Sequence, residues 1–201
     1  MRVLGIIGSL RADSHNRRLL TAAVHGLPPE TELVIFEGLK AVEPFDETDE
    51  HETGGGMPGA DALIAAIRSA DTALFVTPEY NGSVPGVLKN AVDWASRPTP
   101  ATSPLANMPV AVIGASTGMF GAAWAQAELR KALGLAGARV LDEELAVPSA
   151  HEAFTDDGRL ARGAARRQLE GIVNRLIAEA ETTRAGSARK PPDQPVTALA
   201  P

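Results

Sequence analysis

The stretch Gly8-Ser9-Leu10-Arg11-Ala12-Asp13-Ser14-His15-Asn16 brings two hydroxyls, a guanidinium and an amide together just ahead of an apolar-periodic segment. These are groups that hold a phosphate. Unpaired N–H groups at a helix start and the positive end of its dipole favour an anion. An arginine adds a charge-assisted fork worth about 1.5–3 kcal/mol. Scaffold roles suit the same residues, with Ser14 or Asn16 as a helix N-cap and Arg11 as a solvated cation. The sequence has neither G-x-G-x-x-G after its first strand nor G-x-x-x-x-G-K-[ST], so a dinucleotide fingerprint and a Walker loop are both missing. A cradle of hydroxyls and arginine without the glycine triplet suits the terminal phosphate monoester of a mononucleotide.

Two later stretches carry chemistry of a different kind. Pro78-Glu79-Tyr80-Asn81-Gly82-Ser83-Val84-Pro85 is a turn with one carboxylate and one aromatic ring, and Gly114-Ala115-Ser116-Thr117-Gly118-Met119-Phe120-Gly121 is a loop of mostly small residues. Tyr80 suits a ligand contact or a plain aromatic wall. Glu79 suits a general acid or, more commonly, an anchor of its turn. Lys89, Asn90 and Asp93 suit an ion pair or a subunit contact on the following helix; Trp94 and Trp124 suit a core or an interface. Arg162, Arg166 and Arg167 read as a solvated helix face.

The elements that position these loops are legible from periodicity. Val3-Leu4-Gly5-Ile6-Ile7 is a buried strand bounded by Gly8, and residues 16–24 put Leu19, Leu20, Ala23 and Val24 on one helical face. Further strands fall within 31–36, 72–77, 110–113 and 139–147. Helices fall over 61–69 and 85–96, around Ala125 to Leu133, and over 163–180. Strands alternating with helices imply a parallel sheet covered on both faces. In the order 2-1-3-4-5 the loops after the first, third and fourth strands converge at the carboxyl edge, where such sheets bind ligands.

Two segments stand apart. Residues 37–59 lose periodicity and carry seven acids against Lys40, then Gly54-Gly55-Gly56 and Pro58, so they read as a long mobile loop serving as lid, partner surface or solvated spacer. Residues 182–201 are rich in Pro, Ala and Ser with no apolar face, which predicts a domain over 1–181 and a disordered or partly ordered tail over 182–201.

Composition excludes several classes. The chain has 201 residues, enough for one domain with a substantial core, and an ordinary 44% apolar content. No apolar run approaches the ~20 residues of a membrane-spanning helix, and a strand begins at once with no signal-peptide core, so the cytoplasm is the expected compartment. With no Cys there are no disulfides, thiolate metal sites or cysteine nucleophiles, and the four His lack metal-ligand spacing. A net charge of −6 argues against a nucleic-acid partner.

With these residues in view, the chain resembles the NADPH-dependent FMN reductase family. The resemblance is carried by Gly8-Ser9-Leu10-Arg11 with Ser14 and Asn16-Arg17. It is carried more specifically by Pro78-Glu79-Tyr80-Asn81-Gly82-Ser83-Val84-Pro85-Gly86-Val87-Leu88-Lys89-Asn90-Ala91-Val92-Asp93-Trp94. Gly114-Ala115-Ser116-Thr117-Gly118 is similar to the family's third flavin loop, and the likeness runs from about residue 2 to 180.

It implies a flavodoxin-like α/β three-layer fold. FMN would be held with its phosphate at Ser9, Arg11, Ser14, His15 and Asn16 and its ring along Pro78, Glu79, Tyr80 and Asn81, facing Ser116 and Gly118. His15 stands where relatives often carry an aromatic residue, so its contribution is expected through the backbone. Gly118 and Gly121 would let the chain approach the ring closely. The implied activity passes hydride from NADPH or NADH to FMN and on to a quinone, azo compound, metal oxyanion or free flavin, with no catalytic side chain and no metal. A homodimer or homotetramer is implied too. An FMN-binding electron carrier reduced by a protein partner is the alternative, and a non-catalytic FMN-binding protein using the acidic loop is a third reading.

Overall fold

The computed structural model describes residues 1–52 and 57–188. Five strands, β1 (Arg2–Ile7), β2 (Glu32–Ile35), β3 (Thr72–Thr77), β4 (Pro109–Ala115) and β5 (Arg139–Val147), form one sheet in the order β2-β1-β3-β4-β5. Every neighbouring pair is parallel. The helices are α1 (His15–Ala23), α2 (Glu47–Glu52), α3 (Pro58–Arg68), α4 (Gly86–Ala95), α5 (Ala123–Leu135) and α6 (Gly163–Ala188). This is the expected flavodoxin-like three-layer arrangement.

Strand periodicity divides the core. Val3 and Ile7 of β1, Leu74 and Val76 of β3, and Ala111 and Ile113 of β4 face α1 and α6. Leu4, Ile6, Ala73, Phe75, Val110 and Val112 face α3, α4 and α5. Alternate residues thus serve opposite layers, and both layers are apolar, so the central strands read as continuous hydrophobic runs. Packing favours Gly5: a Cβ there would meet the side chain of buried Leu20 at 2.5 Å and force it to shift.

The acidic segment after β2 departs from expectation. It is built rather than loose. Leu39 starts a short 3-10 turn and is buried with Val42 against α3 and α4. Burying a leucine stabilises by about 1.5–3 kcal/mol, which offsets the poor hydrogen bonding of so short a turn. Asn90 accepts from Phe45 N–H (2.7 Å), and its amide and the Trp94 indole N–H both donate to the Glu43 carbonyl (2.8 Å each). The Glu43 carboxylate accepts from Gly59 N–H (3.1 Å) and Ala60 N–H (3.0 Å), the free donors at the start of α3. Alternation of apolar with acidic residues hid this, because its partners lie far along the chain. The Gly54-Gly55-Gly56 run lies outside the described residues.

One other expectation changes. α6 does not stop near 180: it is helical to Ala188, and the rest of the anticipated tail lies outside the described residues. The two tryptophans part company, Trp94 being 4% exposed in the core and Trp124 52% exposed. No described helix is long and apolar enough to cross a membrane.

Candidate active site

The loops leaving β1, β3 and β4 meet at the carboxyl edge of the sheet, and specific bonds tie them together. Asn16, buried in the first turn of α1, donates its amide to the Ala115 carbonyl (2.9 Å) and accepts from Ala115 N–H (2.9 Å). Its side chain joins the first loop to the end of β4, and Ser14 is the N-cap of α1, its Oγ accepting from Asn16 N–H at 3.1 Å. Capping by the side chain at position 14 leaves other first-turn N–H groups without an intrahelical partner.

Glu79 ties the second loop to the third. Its Oε2 accepts from Trp124 N–H (3.0 Å) and Ala125 N–H (3.2 Å) at the start of α5. The residue in the N-cap position, Ala122, has no side-chain acceptor to offer, so a carboxylate from a neighbouring loop does the capping. The adjacent turn is a tight two-residue reversal. Tyr80 and Ser83 exchange both backbone bonds at 3.1 Å, and Asn81 and Gly82 take φ of 53° and 74°. Two successive positive φ values define a type I′ turn, which Asn-Gly favours. Glu128 of α5 accepts from the Ser83 hydroxyl (2.5 Å) and from Val84 N–H (3.4 Å), locking the far side of the turn. Pro78 is buried beneath it, its carbonyl accepting from the Thr77 hydroxyl at 2.7 Å.

In the third loop Ser116 Oγ accepts from Gly118 N–H at 3.2 Å. The loop after β5 braces it, Ser149 N–H donating to Gly118 O (3.3 Å) and Ala150 N–H to Ser116 O (3.0 Å). The two glycines differ. A Cβ on Gly118 would meet only Ser116 Oγ at 3.6 Å, whereas on Gly121, at φ +59°, it would fall 2.6 Å from Val147 N. The close approach that requires Gly121 is to β5 and not to a ligand ring.

Arg11 and His15 complete the first loop. The Arg11 guanidinium forks onto the Asp13 carboxylate, both Nη2 contacts being 3.0 Å, in an exposed pair that pulls the Asp13 carboxyl below its usual range. Ser9 Oγ sits at the outer limit of hydrogen bonding from Arg11 N–H, 3.5 Å. His15 is half-buried, but its Nδ1 is fully buried with no hydrogen-bond partner. Burial pushes its imidazole below the usual histidine range, and the cations of Arg18 and Arg11 and the ring of His151 add to the effect.

Around this framework the surface is apolar. Of seven large hydrophobic side chains left exposed among the described residues, Leu10, Tyr80, Met119, Phe120 and Trp124 stand on these loops and the start of α5. Phe120 and Trp124 pack ring on ring, 4.6 Å between centroids. A polar loop ready for an anion thus adjoins a rim suited to planar aromatic groups. A separate cleft of about 390 Å³, lined by Val147, Leu160, Arg162 and Gln168 among others, lies between the end of β5 and α6.

Residues 1–152 match the NADPH-dependent FMN reductase family. The chain belongs to that family. It is 41% identical over 179 residues to an NAD(P)H-dependent FMN reductase of Pseudomonas aeruginosa, spanning 88% of this chain and 93% of that one. A quinone reductase of Escherichia coli is 36% identical over 143 residues, 71% of this chain and 74% of its own length. Among solved structures, a flavoenzyme NAD(P)H:(acceptor) oxidoreductase from Paracoccus denitrificans superposes with a TM-score of 0.79 at 30% identity, covering 90% of this chain and 97% of that one. This member of the FMN reductase family is therefore an FMN-dependent NAD(P)H oxidoreductase.

The residues present fit FMN. An orphaned polar atom, His15 Nδ1, sits at the helix start where a phosphate would go, and Gly118 is uncrowded, a Cβ there making only an ordinary contact with Ser116 Oγ. Sequence reasoning missed Asp13 as the partner of Arg11, and Ser83 and Glu128 as the second lock on the turn. Only the acidic side chain of Glu128, on a face shared with Trp124 one turn earlier, hinted at the last of these.

Proposed function

We propose that this enzyme holds FMN with its phosphate at Ser9, Arg11, Ser14, His15 and Asn16. The ring lies along Pro78, Glu79, Tyr80 and Asn81, facing Ser116 and Gly118. Bound FMN supplies the redox chemistry, taking two electrons as hydride from NADPH or NADH and releasing them to a small-molecule acceptor. The observation that carries this reading is the mutual locking of three loops by Asn16, Glu79 and Glu128 at one sheet edge. A prearranged cradle avoids the ordering cost that a loose site would meet on binding.

The chain's residues bind and orient. Ser14 fixes the start of α1 so that free first-turn N–H groups face the phosphate. Arg11 exchanges Asp13 for the phosphate; the exposed ion pair it leaves is of the weak, solvated kind. The side chain of Asn16 is engaged with Ala115, so its part is to set the distance between cradle and ring loop. Glu79, occupied as a helix cap, is a scaffold residue, in keeping with chemistry that asks no side chain to carry a proton.

The acceptor class is a quinone, azo compound, metal oxyanion or free flavin, and the apolar rim of Tyr80, Phe120 and Trp124 favours the planar aromatic ones. The same rim supports a homodimer or homotetramer, since exposed patches of this kind mark association surfaces. Use of a pool of reduced nicotinamide supports a cytoplasmic location. Steady-state turnover tests the reading: FMN-loaded protein with NADPH or NADH and a quinone should cycle unaided, with parallel double-reciprocal lines. Turnover only when a reductase protein is added would replace it with an electron carrier.

A further inference from the structure

We propose that the His15 imidazole is a charge-matching group of the cradle, taking up one proton from solvent as a phosphate monoester seats at the first turn of α1 and releasing it when the ester leaves. The proposal rests on the reading of this loop as the FMN phosphate site, and goes beyond it by giving the side chain, rather than the backbone, a defined task.

The polar side chains around His15 are already engaged. Ser14 Oγ caps the helix, the Asn16 amide is spent on Ala115, and Arg11 is forked onto Asp13. His15 Nδ1 alone in this loop is buried without a partner. Side chains at the first helical position lean back toward the N-terminus, the direction from which an anion approaches. A proton on Nδ1 would have no acceptor in the ligand-free protein, so the neutral ring with Nδ1 bare is the assigned form.

The groups that act on the ring come from three elements: Arg11 and Asp13 from its own loop, Arg18 from α1, and His151 from the loop after β5. Arg18 is fixed in place, its guanidinium stacked 4.6 Å above the Phe154 ring. Arg11, Arg18 and His151 oppose a further positive charge, and Asp13, already paired, only partly offsets them. A phosphate monoester carrying a charge near −2 at neutral pH reverses the sign of that field and offers Nδ1–H an acceptor oxygen. The balance is simple: one proton leaves solvent and resides on Nδ1, and the phosphate remains the dianion it was above pH ~6.

The test is calorimetric titration of the apo-protein with FMN and, separately, with riboflavin, at about pH 7.5 in two buffers of different ionisation enthalpy. At that pH free His15 is neutral and free FMN is dianionic. FMN binding should take up between half a proton and one proton, riboflavin binding none, and the Kd for FMN should rise about threefold to tenfold from pH 7 to pH 8, tenfold per unit being the limit for one linked proton. His15→Asn, which keeps an amide donor but cannot titrate, should abolish both the uptake and the slope. Preferential binding of FMN over riboflavin with no proton uptake, or the same uptake in His15→Asn, overturns the proposal while the phosphate cradle stands. FMN binding no tighter than riboflavin overturns the cradle and the proposal together. The wild-type buffer comparison decides the matter even where the variant folds poorly.

Discussion

Replacing Glu79 by alanine removes the oxygen to which both Trp124 N–H and Ala125 N–H donate, and with it the only link from the β3 turn to the first residues of α5 among the described hydrogen bonds. Loss of an N-cap acceptor costs about 0.5–2 kcal/mol. Loss of a negative charge at a helix start adds about 0.3–1 kcal/mol. The expected sum, about 1–3 kcal/mol, lowers Tm by about 2–12 °C for a chain of this size, at ~2–4 °C per kcal/mol. Glu79→Gln keeps an acceptor oxygen and loses only the charge, so its Tm should fall by no more than about 4 °C. Calorimetry on the apo-proteins gives the order wild type, Gln, Ala. Stopped-flow reduction of bound flavin by NADPH should show Glu79→Gln close to wild type. An unchanged Tm in Glu79→Ala would refute the capping role. A Gln variant with normal Tm but flavin reduction slowed a hundredfold or more, as loss of a general acid brings, would refute the conclusion that no side chain carries a proton.

Arg11→Ala should weaken FMN binding about tenfold through loss of ~1.5 kcal/mol or more of charge-assisted bonding. Riboflavin affinity should hold steady, and equal FMN affinity in a fluorescence titration would remove Arg11 from the cradle. Gly121→Ala forces a Cβ into the β5 backbone at a positive φ and should cost about 3 kcal/mol or more. Gly118→Ala, whose Cβ would make only an ordinary contact with Ser116 Oγ, should leave the melting temperature within about 1 °C. The Glu43 carboxyl is held below the usual glutamate range by its own N–H and those of Gly59 and Ala60. A depressed pKa in the folded state means stability that is present above the unfolded value and lost as pH falls through the folded one. The stability gap between wild type and Glu43→Gln in urea titrations should therefore be full near neutrality and close in acid, and a gap that widens in acid would contradict the cap.

Much of the fold was legible because strand and helix periods are local properties. The runs around Leu4, Phe75 and Val112 announce strands buried on both faces, and alternation with helices leaves few topologies. The meeting of the loops after β1, β3 and β4 was legible too, from clusters of hydroxyl, amide and glycine residues next to strand ends. What stayed hidden depends on distance in sequence. Asn16 meets Ala115, Glu79 meets Trp124, and Glu43 meets Gly59 and Trp94. No period relates such pairs, so an acidic segment that is pinned at Leu39, Glu43 and Phe45 looked like a loose loop. Trp124, read from the sequence as core or interface, is not in the core: it stands on the exposed rim beside Phe120.

Electrons pass in this chain from a nicotinamide through FMN to a small acceptor. This route is tested most directly by loading the protein with FMN, removing oxygen, adding NADPH or NADH, and following the visible flavin band. At least one nicotinamide should bleach the band rapidly, and adding a quinone should bring it back. A bound flavin that stays yellow in the presence of both nicotinamides would contradict this route.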